Sequence, residues 1–542
     1  MTDLLKRARE WLAQDPDPDT RAELSDLVER ADPAELSARF GAKLEFGTAG
    51  LRGELGAGPN RMNRVTVMRT AAGLARVLGP GKHVVIGYDA RYKSDRFARD
   101  TAAVLTGAGL HASLLPQALP TPVLAFAVRA LGADAGVMVT ASHNPPRDNG
   151  YKVYWGDGSQ IVPPVDAEIS AAIDAVGRVD ELPLDAPGTL TELGEEIIDD
   201  YLDAITALPL GTARELSVAY TPLHGVGSGT LTGAFLAAGF ESPRAVEEQR
   251  NPDPAFPTVA FPNPEEPGAM DLIFALARAS EADLVIANDP DADRCAVGVP
   301  MGGGQWRMLT GDEVGALLGE YVIGQTSGDR MVATTIVSST LLGKIAAAHG
   351  VRYGETLTGF KWIMRAGPGL VFGYEEALGY SVGGASLPVH DKDGIGAALA
   401  VAALAAGAKA DGRSLLDLLD DQARTYGLHA TSQLSVRVED LALIAGAMAR
   451  LRAEPVAELG GRAVERADDL AEGVGGLPPT DGLRYLLAGG ARVVIRPSGT
   501  EPKLKCYLEV VVPVTGEVAE ARQRASAELA ELTEALRVTL GL

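Results

Sequence analysis

The first group in this chain able to do covalent chemistry is a serine on a proline-stopped turn. Residues 136–146 read GVMVTASHNPP, an apolar run followed by Thr140, Ala141, Ser142, His143, Asn144 and two prolines. The run predicts a buried strand. Pro145 and Pro146 donate no backbone hydrogen bond, so the strand stops before them. That sets the Ser142 hydroxyl at a strand end, where open α/β sheets take ligands. A serine attacks well only if a neighbour takes its proton or stabilises what it attacks. His143 stands beside it and Lys152 ten positions on. Taken alone, the stretch also reads as an Asn-Pro turn whose side chains bond the backbone.

A second stretch, DLVIANDPDADR from Asp283 to Arg294, runs an apolar strand into Asp289, Asp291 and Asp293. Alternation in an extended segment would put the three carboxylates on one side. Charges that close repel unless a cation sits among them, and hard oxygen ligands suit Mg²⁺. An EF-hand also begins D-x-D-x-D, but its sixth position is Arg294 here rather than glycine, and its twelfth is Pro300 rather than glutamate.

Three further sets suit an anionic, hydroxylated ligand. Val493–Lys505 reads VVIRPSGTEPKLK, a strand delivering Arg496 to a turn of Pro497, Ser498, Gly499 and Thr500. An arginine, two hydroxyls and the N–H groups of a glycine turn make a phosphate cradle, and Lys503 and Lys505 add charge. Phe46–Gly53, FGTAGLRG, is a loop whose backbone can approach a ligand and whose Arg52 can fork onto a phosphate. Thr358–Lys361 and Gly373–Glu376 offer Lys361, Glu375 and Glu376, a set that could hold sugar hydroxyls or be an ordinary surface ion pair.

These residues need elements to hold them. Three times the sequence gives strand, polar loop, helix, small-residue turn and strand, beginning at His83–Asp89, Leu216–Tyr220 and Met331–Val337. The pattern predicts three related α/β units. Residues 1–40 predict a helical packing extension, with Leu4, Leu5, Ala8, Trp11 and Leu12 on one face and Asp32-Pro33 opening a helix. After Leu428 the character changes to strands, a helix near Leu441–Arg452, more strands and a long helix. The expected domains are 1–206, 207–308, 309–428 and 429–542.

A net charge of −23 speaks against nucleic acid as the partner. It leaves an anionic small ligand open, because steering depends on the local field. The two cysteines build no disulfide framework, no apolar run reaches membrane-spanning length, and MTDLLKRAREWLAQ has no signal-peptide core. The expectation is a cytoplasmic protein with no nucleic-acid or membrane partner, monomeric or dimeric.

Taken together, Thr140–Pro145, Asp289–Arg294, Glu375–Ala377 and Arg496–Pro502 resemble the α-D-phosphohexomutase superfamily, in order and over nearly the whole chain. The helical extension, FGTAGLRG and GYEEALGY make the chain most similar to its phosphoglucomutase/phosphomannomutase group, which includes the phosphopentomutase-like enzymes. The resemblance implies an α/β, heart-shaped, four-domain architecture with a central cleft. Three mixed α/β domains would precede a C-terminal TATA-box-binding-protein-like α+β domain. It implies that Ser142 carries a phosphoryl group, and that Asp289, Asp291 and Asp293 hold Mg²⁺ with an oxygen of that phosphoserine. Arg294 would lie close by. Glu375 would bind sugar hydroxyls, and Arg496, Ser498, Gly499 and Thr500 the phosphate that stays. Lys152 matches a lysine near the reacting oxygen and is the expected general base, with His143 second and a lowered lysine pKa the condition. Lys361 matches a lysine of the third-domain loop.

The implied reaction interconverts a sugar 1-phosphate and 6-phosphate, of glucose or mannose, through a glucose 1,6-bisphosphate-type intermediate that also serves as activator. A pentose 1-phosphate/5-phosphate reaction is the alternative; a phosphatase and a non-catalytic scaffold are rivals. One departure bears on the sugar: Ala377 stands where many hexose-specific members have serine.

Overall fold

A computed structural model describes residues 2–45, 50–184, 187–438, 441–454, 456–498 and 503–541. The expected repeat is present as three mixed sheets of one design. In each, a first parallel strand lies between the second and the third, and the third is joined antiparallel to the fourth. In the first sheet His83–Tyr88 lies between His111–Leu114 and Ala135–Val139, with Asp148–Trp155 antiparallel to the last. In the second, Val218–Thr221 lies between Arg244–Ala245 and Leu284–Ala287, and Ala296–Gly302 turns back along the latter. In the third, Met331–Thr335 lies between Arg352–Thr356 and Leu370–Glu375, and Gly379–Val382 turns back.

That design explains where the chemistry-bearing residues sit. Ser142, the three aspartates and Glu375–Glu376 all fall at the switch from a buried parallel strand to its antiparallel partner. The parallel strands that lead into these switches are apolar and almost wholly buried, as expected where helices cover both faces. The switch cannot stay in that packing, so each loop emerges at the same end of its sheet.

The fourth sheet is wholly antiparallel, in the order Leu428–Arg437, Lys503–Val512, Arg492–Pro497, Leu483–Leu487, Arg462–Asp469, Glu458–Leu459. Its apolar core includes Ile444 and Met448 of helix Leu441–Ala453 and Leu529, Leu532 and Leu536 of helix Val518–Leu540. Arg496 again lies at a strand end, in the last residues of Arg492–Pro497. The proposed domain limits fall between elements, except that 428/429 lies one residue inside strand Leu428–Arg437. Gly427, at positive φ after helix Leu415–Tyr426, is the better limit.

One core joins the first three units. Helix Glu196–Thr206 packs on Gly227–Ala237, and the alanine-rich helix Gly394–Ala410 packs on that helix and on two of the sheets. No single helix among the described residues is long and apolar enough to cross a membrane. Gly394–Ala410 is a core helix, buried along most of its length.

The fourth unit has a separate core and meets the third through a polar lock. Glu509 accepts from Ser339 Oγ at 2.7 Å, Thr340 N at 2.8 Å and His429 Nδ1 at 2.9 Å, and pairs with Arg492 at 3.2 Å. Burial alone would raise the Glu509 pKa; Arg492 and His429 outweigh it and bring it down to about 2. The N-terminal helices Thr2–Leu12, Pro18–Arg30 and Pro33–Phe40 pack as expected, burying Ala8, Trp11, Leu24 and Phe40 against Val65, Met68 and Ala71 of helix Arg64–Leu78.

Candidate active site

Ser142 takes a left-handed backbone, φ 52°, which a side-chain-bearing residue adopts at some cost and only when its surroundings insist. The surroundings are Thr140, whose Oγ1 accepts from Ser142 N at 2.9 Å, and Arg91. The Arg91 guanidinium donates to four carbonyls of the turn: Ser142 and Asn144 at 2.6 Å each, Pro145 at 2.8 Å and Asp148 at 3.1 Å. It pairs with Asp89 at 3.4 Å and lies 5.0 Å over the Phe256 ring, which belongs to the second unit. The serine turn is thus a clamped loop.

Across the junction of the first two units, Ser142 Oγ donates to Asp289 Oδ2 at 2.7 Å. Asp289, Asp291 and Asp293 are buried, and their nearest oxygens all lie within 4.8 Å of one another. The expected route to this arrangement was alternation along an extended strand, and the structure corrects it. The strand ends at Ala287; the carboxylates converge because Ala292 has φ 53° and its N–H returns to Asp289 O, a tight turn. Asn288 pins the turn from behind by donating to Arg294 O at 2.6 Å.

The carboxylates are partly neutralised by cations from three units. Lys152 Nζ lies 2.7 Å from Asp291 Oδ2 and 2.9 Å from Asp293 Oδ2. Lys392 Nζ lies 3.3 Å from Asp293 Oδ2. Arg294 N donates to Asp289 Oδ1 at 3.1 Å, and its guanidinium donates to Ala377 O at 2.6 Å, reaching the sugar loop. Even so, Asp291 Oδ1 and Asp293 Oδ1 are buried with no hydrogen-bond partner among the described residues. Buried carboxylate oxygens without donors ask for a cation. Hard oxygens at this spacing fit Mg²⁺, so the residues present fit the metal that the chemistry implies.

Lys152 is buried against two of the carboxylates. Burial alone would lower its pKa, but Asp291 and Asp293 outweigh burial and hold it above its ordinary value. His143 is the opposite case: burial, then Arg294 and Arg52, push its pKa well below the usual imidazole value. Its Nδ1, 3.3 Å from Ser142 Oγ, is therefore an uncharged nitrogen beside the hydroxyl.

Arg52 lies on strand Leu51–Glu54 and reaches Asn144 Oδ1 at 3.4 Å; its Nε has no partner among the described residues, and burial lowers its pKa. Glu375 ends strand Leu370–Glu375, and Arg294 pairs as a backbone bridge with Gly379, so the aspartate loop and the Glu375 loop are joined. Gly379 must be bare: a Cβ there would lie 2.4 Å from Lys392 Cδ, whose stem runs past it to Asp293. Lys361 sits in the short helix Phe360–Ile363 and forms no ion pair with Glu375 or Glu376 among the described residues; burial lowers its pKa. Arg496 is placed beside Tyr507, and Ser498 N bonds Lys503 O at 2.8 Å. Gly499 and Thr500, the rest of the expected cradle, lie outside the described residues, as do residues 46–49 of FGTAGLRG.

Sequence reasoning missed Arg91, Thr121 and Lys392. Lys392 lies in HDKDG, directly before helix Gly394–Ala410. Its neighbours nail the segment to the first unit: Asp391 Oδ2 accepts from Tyr154 and Gln160 at 2.7 and 2.8 Å, and Asp393 from Tyr201 at 2.7 Å. A lysine between two buried aspartates, directly before a helix, was the available signal.

Glu376 gives a stability effect of definite sign. Its carboxylate accepts from Ser338 Oγ at 3.1 Å, and burial, then Glu375, raise its pKa from 4.5 to about 7. The folded protein therefore holds this proton where the unfolded chain has lost it, and the cost of ionising Glu376 grows as pH rises from about 4.5 to about 7. Glu376→Gln removes that cost. The thermal midpoint of the variant is expected to exceed that of the parent at pH 8 and to match it near pH 4.5. With partial solvent access the gain is about 1–2 kcal/mol. Equal midpoint differences at both pH values would refute it.

Comparison with known proteins places the whole chain in one frame. Family profiles described as phosphoglucomutase/phosphomannomutase alpha/beta/alpha domains I, II and III match residues 43–179, 199–302 and 310–426, and the C-terminal domain profile matches 435–526. A Haemophilus influenzae protein named "Probable phosphomannomutase" is 46% identical over 457 residues, 83% of this chain and 93% of that protein. The Homo sapiens phosphopentomutase is 36% identical over 97% of this chain and 94% of its own length. The crystal structure of a phosphoglucomutase/phosphomannomutase family protein from Burkholderia thailandensis shares the fold, with TM-score 0.69 at 20% identity over 91% of this chain and 97% of that one.

Proposed function

From the premise that the chain belongs to the phosphoglucomutase/phosphomannomutase family, we propose that it moves a phosphoryl group between two oxygens of one sugar by way of Ser142. The supporting observation is the junction itself: the Ser142 hydroxyl lies 2.7 Å from Asp289 Oδ2, in a cluster where two carboxylate oxygens have no hydrogen-bond partner among the described residues.

Asp289, Asp291 and Asp293 would hold Mg²⁺ with an oxygen of phosphorylated Ser142. Bound there, the metal would supply positive charge to the transferring phosphoryl group. Arg294 and Lys392 would add to that field, and Lys152 would keep the carboxylates oriented as an ammonium. Phosphoryl transfer asks mainly for positioning and charge, which a clamped serine turn and buried cations provide. In the first half, the Ser142 O–P bond breaks, a sugar O–P bond forms, and the proton of the attacking hydroxyl passes by way of His143 Nδ1 to the Ser142 oxygen that leaves. In the second half, the bisphosphate, glucose 1,6-bisphosphate in the hexose case, presents its other phosphate. That sugar O–P bond breaks, the Ser142 O–P bond re-forms, and the Ser142 proton passes by way of His143 to the sugar oxygen. Glu375 would hold sugar hydroxyls, with Arg52 and Lys361 at the cleft wall. Arg496, Ser498, Gly499 and Thr500 would hold the phosphate that stays.

For the sugar, we propose a hexose, glucose or mannose 1-phosphate, a reading supported by the relative that is 46% identical and named for phosphomannose. A pentose phosphate is the second reading. It is favoured by Ala377, which offers no hydroxyl beside Glu375, and by the phosphopentomutase similarity along nearly the whole chain. A cytoplasmic location belongs to the same proposal.

³¹P NMR tests it. Purified protein with Mg²⁺ and a trace of glucose 1,6-bisphosphate is given α-glucose, mannose or ribose 1-phosphate in separate tubes. Conversion of a hexose 1-phosphate to its 6-phosphate, without inorganic phosphate, is the expected result. Conversion of ribose 1-phosphate alone would establish the second reading, and inorganic phosphate as sole product would make the protein a phosphatase.

A further inference from the structure

Asp291 is held in its rotamer from outside its own unit. Residues 119–122 read LPTP and open helix Thr121–Ala130 of the first unit. Thr121 is fully buried, and both of its polar donors go to one residue: its N–H to Asp291 O at 2.9 Å and its hydroxyl to Asp291 Oδ2 at 2.7 Å. The hydroxyl does not cap its helix and makes no other bond among the described residues. Pro120 and Pro122 fix the backbone on either side of it.

The consequence lies in which oxygen is left over. Oδ2 of Asp291 takes two donors, Thr121 and Lys152, each at 2.7 Å, and Oδ1 takes none. A carboxylate oxygen with two donors is close to saturated. With Oδ2 tied from both sides, rotation about the Cβ–Cγ bond is blocked and Oδ1 stays the oxygen without a donor among the described residues. Without the hydroxyl, Lys152 alone would hold Oδ2, and the carboxylate could turn both oxygens onto the ammonium.

We propose that Thr121 is a positioning residue for a divalent-cation ligand: its hydroxyl locks the Asp291 carboxylate so that Oδ1 is presented to the metal. The tie also sets the register of the aspartate turn against the unit that carries Ser142, so metal and nucleophile are aligned by one side chain. This inference rests on the metal reading of the aspartate cluster.

The test is Mn²⁺ binding to the full-length protein, followed by the loss of the free Mn²⁺ signal in electron paramagnetic resonance, without substrate or turnover. Thr121→Val keeps the shape and removes the donor; Thr121→Ser keeps the donor. Groups that orient a metal ligand typically change affinity by about 10–100-fold when removed. Thr121→Val is expected to weaken Mn²⁺ binding by that factor and Thr121→Ser by less than about threefold. Should valine not be accommodated, Thr121→Ala removes the same hydroxyl without bulk and is expected to show the same weakening. Binding by the valine or alanine variant within twofold of the parent would overturn the proposal. So would equal weakening in the serine variant, which would assign the effect to packing. Failure of the parent protein to bind Mn²⁺ would instead overturn the metal reading, and this inference with it.

Discussion

Ser142→Ala is expected to abolish turnover, with a fall in kcat on the order of 10⁴-fold or more. Among the described residues of the turn, it is the Ser142 hydroxyl that reaches Asp289, at 2.7 Å. The clamp on the turn does not use the hydroxyl. Arg91 binds carbonyls, and Thr140 accepts from the backbone N–H, so the turn should survive the substitution. The expected signature is therefore a folded protein with an unchanged melting profile and no sugar phosphate interconversion by ³¹P NMR. Added glucose 1,6-bisphosphate should not rescue it, because the bisphosphate must return its phosphate to a serine that is absent. Activity within tenfold of the parent would remove Ser142 from the reaction.

The second large effect is expected of Asp291→Asn. Three carboxylates now face Lys152, Lys392 and Arg294. Removing one charge leaves two carboxylates against three cations, a field that repels a divalent ion. The amide also puts an NH₂ at one of the two positions that Thr121, Lys152 and the metal use. If the NH₂ faces Lys152 and Thr121, it meets two donors; if it faces the metal, it offers no lone pair. The Mg²⁺ concentration for half-maximal activity should rise by at least about 100-fold, the top of the range for residues that only orient a ligand. Saturating Mg²⁺ should restore part of kcat. An unchanged Mg²⁺ titration would take Asp291 out of the metal site.

Much of this site was legible because its loops interrupt apolar strands with residues that have few other uses. Ser142 is followed by two prolines, the aspartates alternate with Pro290 and Ala292 after VIAN, and Arg496 ends VVIRP. Ser142, the aspartates and Glu375 lie at the switch from a parallel strand to its antiparallel partner, which is why three repeats read from strand and helix patterns also placed three of the site loops. The local geometry was less legible. The aspartates converge through the left-handed Ala292, which a period-two argument does not contain.

The long-range partners were not legible at all. Thr121 meets Asp291 across 170 positions, and Lys152 meets Asp291 and Asp293 across 139 and 141. The carboxylates raise the Lys152 pKa, so a sequence window around the lysine could offer it as a base but not show the direction of its shift. Arg91, likewise, was invisible as a clamp because its acceptors are main-chain carbonyls 51 to 57 positions away.

The central claim is that Ser142 carries the phosphoryl group between sugar oxygens. Rapid-quench mass spectrometry of the peptide containing Ser142 tests it most directly. The protein is mixed with Mg²⁺ and glucose 1,6-bisphosphate, and then with an excess of whichever sugar monophosphate the NMR panel shows to be converted. The account predicts one added phosphoryl group on Ser142 after the first mixing. After the second, that group should pass to the monophosphate at least as fast as steady-state turnover, with no matching release of inorganic phosphate. A Ser142 that stays unmodified while the sugar phosphate is interconverted at full rate would contradict it.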